Sequence, residues 1–140
     1  KFTELPGKIL VHREDDDDSG RDAKIDYALT RRHMKQINQA TDAKGRKLRA
    51  TPLPGPLSIR KAPKGGREDE ACFSYANFYV ANGVVLMPEF GDPKADKHAK
   101  TIVEKFFPSR KVVQINIDGV AYGGGGIHCV TQQQPAVDQE

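Results

Sequence analysis

Cysteine is scarce in this chain. It occurs only at Cys72 and Cys129, which lie far apart and lack the dense, even spacing of a secreted disulfide framework. Thiol chemistry therefore points to a reducing, cytoplasmic compartment. No run approaches the roughly 20 apolar residues of a membrane span, so no membrane partner is expected. An excess of one charge is missing too. Lys and Arg number 22 against 19 Asp and Glu, a net charge of +3, too small and too interspersed to argue for nucleic acid. Zinc-type Cys/His spacing, a phosphate loop and a dinucleotide fingerprint are all absent, and neither a metal nor a cofactor is expected. The one dense acidic run, Glu14 to Asp18, lacks the alternating ligands and closing glutamate of a calcium loop. It reads as a solvated loop.

The remaining sequence reads as alternating strands and helices. Lys8 to His12 is a short apolar run after Pro6-Gly7, expected as a buried strand. From Asp22 to Ala40, Ile25, Leu29, Met34 and Ile37 recur at near-helical spacing, with Asp22 as the cap of an amphipathic helix. Asp42 to Gly45 ends it, and Arg46 to Thr51 is the next expected strand, before the proline-rich Pro52 to Pro56. Ser58 to Asp69 is basic and aperiodic. A disordered excursion is favoured there over an ordered loop near a substrate entrance. Tyr75 to Ala81 and Val84 to Met87, joined by Asn82-Gly83, read as a hairpin with a type I′ turn. Asp92-Pro93 opens a helix whose buried stripe is Ala95, Ala99, Ile102, Val103 and Phe106, closed by Pro108. Arg110 to Ile117 is expected as a largely buried strand. The class is α/β, with mixed sheets and flanking helices, which by itself gives no function.

Function is concentrated near the end of the chain. Gly123 to Gly126 run into Ile127-His128-Cys129 and then Val130-Thr131-Gln132-Gln133-Gln134-Pro135. Four glycines allow positive φ and close approach of a substrate to the backbone, at an entropic cost that ordinary packing does not justify. A lone tetraglycine is more often a linker or a turn; the adjoining thiol is what suggests a presented nucleophile. His128 is expected on the opposite face of an extended segment and so as a packing or hydrogen-bonding residue. His33 and His98 read as solvated surface. Cys72, beside Phe73, reads as a small packing residue.

The run GGGGIHCVTQQQP resembles the carboxy-terminal signature of the agmatine deiminases and their bacterial peptidyl-arginine deiminase relatives, within the guanidine-modifying pentein superfamily. Ser74 to Gly83, continuing through Val84 to Pro88 and Phe90-Gly91-Asp92, resembles the strand pair upstream of the family's cysteine. Thr41 to Lys47, leading to Leu53 to Pro56, is similar to its central helix exit. The resemblance implies an α/β propeller of five modules. Residues 1–140 are then a carboxy-terminal portion of a single catalytic domain, about two modules long on typical element lengths. It also implies that Cys129 is the nucleophile. Asn77 and the backbone of Gly124, Gly125 and Gly126 are the candidate substrate contacts, although Asn77 could equally fix neighbouring backbone. The family's histidine base and acidic clamps are expected upstream of Lys1, so the missing amino-terminal portion becomes a partner; homo-oligomerisation is left open. The implied reaction hydrolyses agmatine to N-carbamoylputrescine and ammonia, a step of putrescine and polyamine biosynthesis. Deimination of peptidyl-arginine, and a truncated noncatalytic module that needs a second polypeptide, are the alternatives.

Overall fold

The structure is a computed structural model that describes residues 1–13 and 21–135, apart from the side chains of residues 21–24 and 68. The acidic run Glu14 to Asp18 and the expected cap side chain of Asp22 lie outside this description. Strand β1 (Lys8–Arg13) leads to helix α1 (Arg21–Gln39) and strand β2 (Arg49–Pro54). β2 runs parallel to β1, in register from Lys8 opposite Arg49 to Arg13 opposite Pro54. Of the helix's apolar stripe, Met34 and Ile37 are half-buried, while Ile25 and Leu29 are exposed.

β2 begins three residues later than the expected strand and takes in two prolines assigned to a loop. Arg46 is held in a turn instead, its N–H and Nε donating to Asp42 at 3.0 and 2.6 Å. The prolines are tolerated because of which way the strand faces. Arg49 N–H donates to Gly7 and Gly55 N–H to Arg13, so odd-numbered residues face β1. Even-numbered positions face outward: there the Ala50 N–H meets Asn38 of α1 at 2.8 Å, and Pro52 and Pro54 have no N–H to satisfy.

The second sheet holds β3 (Tyr79–Ala81), β4 (Val84–Glu89) and β5 (Lys111–Asn116), in the order β3-β4-β5. β3 and β4 are antiparallel, β4 and β5 parallel. The hairpin forms around Asn82-Gly83, but not as a type I′ turn. That turn needs positive φ at both central residues, and only Gly83 has it, at 72°. The tip is held from β5 as well, by Lys111 N–H to the Gly83 carbonyl and Arg110 Nε to the Ala81 carbonyl. β5 is an edge strand and is only partly covered: Val112 is buried and Ile115 exposed, which corrects the expectation of a largely buried strand.

Helix α2 (Pro93–Phe106) crosses between β4 and β5. Asp92 caps it, accepting from Lys94 and Ala95 N–H, and its second oxygen accepts from Leu57 and Ser58 N–H. Ala99 and Val103 are buried, with Ala95, Ile102 and Phe106 packed beside them. Residues 58–69 are not a disordered excursion. They belong to a strap, residues 57–72, fixed at Arg60 N–H to the Phe90 carbonyl and Arg67 N–H to the Tyr122 carbonyl. One core joins both sheets, from Leu10 and Leu53 through Phe78, Met87 and Val103 to Ile127.

Candidate active site

Two segments far apart in sequence meet at Cys129. The first is the turn preceding β3. Tyr75 to Phe78 are not strand, as expected, but a turn closed by Asn77 N–H to the Ser74 carbonyl at 3.1 Å. Buried Tyr75 anchors it by donating to Asp96 Oδ1 at 2.7 Å. Burial first, and then that carboxylate, push the Tyr75 phenol well above its ordinary pKa, so it remains a donor. Asp96 also accepts the N–H groups of Phe90 and Gly91, which satisfies a carboxylate buried in the apolar face of α2.

The second segment is the glycine run. Helix α3 (Asp118–Ala121) precedes it and was not expected. Gly124 turns the chain at φ 84°, and a Cβ there would lie 3.1 Å from the Glu70 carbonyl oxygen, so glycine is required. Cys129 then lies in a 3₁₀ turn, Ile127–Val130, rather than on an extended segment. Its N–H donates to the Gly126 carbonyl at 3.1 Å.

Asn77 ties the two together. Its Nδ2 donates to Cys129 Sγ at 3.3 Å, while its Oδ1 accepts the His128 N–H at 3.0 Å. Gly126 makes room for this, because a Cβ there would come within 2.4 Å of Asn77 Cγ. The Asn77 hydrogen bond is the largest cause that lowers the Cys129 pKa below the ordinary thiol value. A backbone bond from Gly126 and the Lys1 charge act the same way, against burial. The thiol is exposed. It opens on a groove of about 340 Å³ lined by Lys1, Cys72, Ser74, Ala76, Asn77, His128 and Cys129.

Several assignments shift as a result. Asn77 fixes both the sulfur and the neighbouring backbone. Gly125 and Gly126 stand behind the thiol and the amide, a Cβ at 125 lying 3.8 Å from Sγ, whereas Gly124 faces the strap. His128 lines the same groove as Cys129, since a 3₁₀ turn does not alternate faces as a strand does; its Nε2 is 3.3 Å from Gln133 Nε2. Cys72 lines the groove too. Lys1 and Ser74 were missed, as nothing in their local sequence marks them. Asp96 did leave a signal, an acidic residue within the apolar spacing of α2. The groove lining holds no carboxylate, and the described residues hold no group of three or more metal-ligating side chains. Chemically, the site offers an exposed thiol, its pKa lowered first by the Asn77 hydrogen bond, at the mouth of a groove.

A sequence profile of the Porphyromonas-type peptidyl-arginine deiminases matches residues 2–135. The chain belongs to this family. Among deiminases it resembles, one named agmatine deiminase from Pseudomonas aeruginosa (strain LESB58) is 35% identical over 144 residues, covering 94% of this chain and 38% of that protein. Another of that name, from Ectopseudomonas mendocina, has the same identity and coverage. The solved structure of the agmatine deiminase of Enterococcus faecalis, described as catalysing its reaction, superposes with a TM-score of 0.70 at 30% identity, over 92% of this chain and 37% of that one. The chain thus spans well under half the length of the deiminase relatives it matches. Its mixed α/β architecture of small sheets and helices matches theirs.

Proposed function

We propose that this chain carries the nucleophile-bearing portion of an agmatine deiminase and forms about two modules of a five-module propeller. In this reaction the Cys129 thiolate adds to the guanidinium carbon and ammonia leaves with a proton from a general acid. Water then adds to the S-linked intermediate, the thiolate departs, and N-carbamoylputrescine is released. Asn77 holds the sulfur in place, and the Gly126 backbone lies beside it. A histidine for the proton transfers and carboxylates to grip the guanidinium through paired charge-assisted bonds are supplied upstream of Lys1. No cofactor takes part, and a reducing cytoplasmic setting keeps the thiol free.

The observation that carries this reading is an exposed thiol whose sulfur accepts a hydrogen bond from Asn77 at the mouth of a groove. The names of the relatives favour agmatine as substrate, whereas the family's name favours peptidyl-arginine as the alternative. The test incubates the protein, with the portion upstream of Lys1 present, with agmatine and with an arginyl peptide and measures ureido product, with Cys129→Ala as control. Product from agmatine that disappears in the variant supports the reading. Product from the peptide alone moves the activity to peptidyl-arginine, and no product from either substrate leaves a noncatalytic module.

A further inference from the structure

We propose that Arg60 is a positioning residue for the cysteine loop, its guanidinium latching the strap over residues 57–72 onto Asp118 and so fixing the turn from which the glycine run and Cys129 extend. Arg60 Nε donates to Asp118 Oδ2 at 2.6 Å and Nη2 to Oδ1 at 3.1 Å, a two-pronged carboxylate grip. The same guanidinium reaches the end of β4, donating to Glu89 Oε1 at 3.1 Å and to the Glu89 carbonyl at 2.8 Å. An isolated exposed ion pair contributes little. This one is planar, doubly bonded and partly covered, its side chains being 30% and 19% exposed.

The strap follows the cysteine loop beyond this latch. Tyr122 donates its hydroxyl to the Arg60 carbonyl. Arg67 N–H bonds the Tyr122 carbonyl at 3.1 Å, and Cys72 N–H bonds the Ala121 carbonyl at 3.0 Å. Gly91 is shaped to the latch as well, because a Cβ there would come within 2.5 Å of Arg60 Cγ. Arg60 therefore acts on Cys129 only through Asp118 and Tyr122. It bonds Asp118 at the start of α3 and Tyr122 at its end, and the glycines follow directly.

This inference rests on Cys129 being the nucleophile, and its test is read by means that do not need turnover. Arg60→Gln, Asp118→Asn, the double variant and Arg60→Lys are compared by hydrogen exchange. Each neutralising single variant is expected to speed exchange over residues 118–129 about tenfold, as loss of a charge-assisted bond implies. β4 and α2 remain protected, the double variant is no worse than either single, and Arg60→Lys recovers part of the protection. Where ureido product forms, kcat falls by a similar factor at unchanged KM. Unchanged exchange at 118–129, an equal rise across β4, or additive effects in the double variant would overturn the latch. Absence of turnover in the parent counts against the deiminase reading alone, and exchange still judges Arg60.

Discussion

At Cys129 the charge on sulfur is governed by hydrogen-bond donors more than by a neighbouring cation, because Asn77 outweighs Lys1 among the groups that lower the thiol pKa. Replacing the amide removes a donor that prefers the thiolate, so the thiol of Asn77→Ala should ionise at higher pH. The check is the pH profile of iodoacetamide labelling at Cys129, located by peptide mass spectrometry so that Cys72 is counted separately. The midpoint should move to alkaline pH, and an unmoved midpoint contradicts the assignment. Gly126→Ala should act on the same pair from behind, by forcing a Cβ against Asn77. A loss of about 1–3 kcal/mol in denaturant unfolding is expected, with the same alkaline shift of the thiol. Cys129 was legible in the sequence because a thiol after a glycine run is a local pattern. Asn77 was singled out too, but its bond to the sulfur was not foreseen, since the two lie 52 residues apart and only folding makes them neighbours.

Among the elements, α2 was the most readable, its cap, first-turn proline and apolar stripe all being local signals. What the sequence could not reveal is that Asp92 also binds the backbone of Leu57 and Ser58 and so fastens the start of the strap. Asp92→Ala should therefore exceed an ordinary cap loss of about 1 kcal/mol, measured by urea unfolding. Backbone donors, the Ala95 N–H foremost, hold the Asp92 pKa below its ordinary value. Its stabilisation is thus complete above the unfolded carboxylate pKa of about 3.9 and is lost as pH falls through the lower folded value. The acid limb of a pH–stability curve should be shallower in Asp92→Asn than in the parent, and identical limbs would contradict this. The strap was misread for a related reason. Its prolines, glycines and basic residues carry no periodicity, while the contacts that order it, such as Arg60 with Asp118, span 58 residues. The proline-bearing β2 was hidden because only pairing with β1 reveals which residues face outward.

Across the whole molecule, the two sheets are tied by the shared core and by the first residues of the chain. Glu4 bonds Ser109 N–H and Oγ and pairs with Arg110 at the turn into β5. A buried line of support then runs from Asp96 through Tyr75 to the turn that presents Asn77. Tyr75→Phe leaves Asp96 without one donor while preserving the ring's packing on Phe90. It should cost about 1.5–3 kcal/mol of stability, as for a hydrogen bond to a charged group, read by thermal or urea unfolding. A neutral result would mean that the Asp96 contact adds nothing to the anchor. The mixed α/β class was legible from the alternation of elements, and the family from blocks in order along the chain. The carboxylate-free groove was not, since it depends on which surfaces converge.

The central claim is that Cys129 attacks a guanidinium carbon, and acid-quenched mass spectrometry of the protein reacting with agmatine tests it most directly. The account predicts a covalent adduct on the Cys129 peptide, with the mass of agmatine less ammonia, absent from Cys129→Ala and rising before ureido product. Product formed without that adduct, or an adduct carried by Cys72, would contradict it.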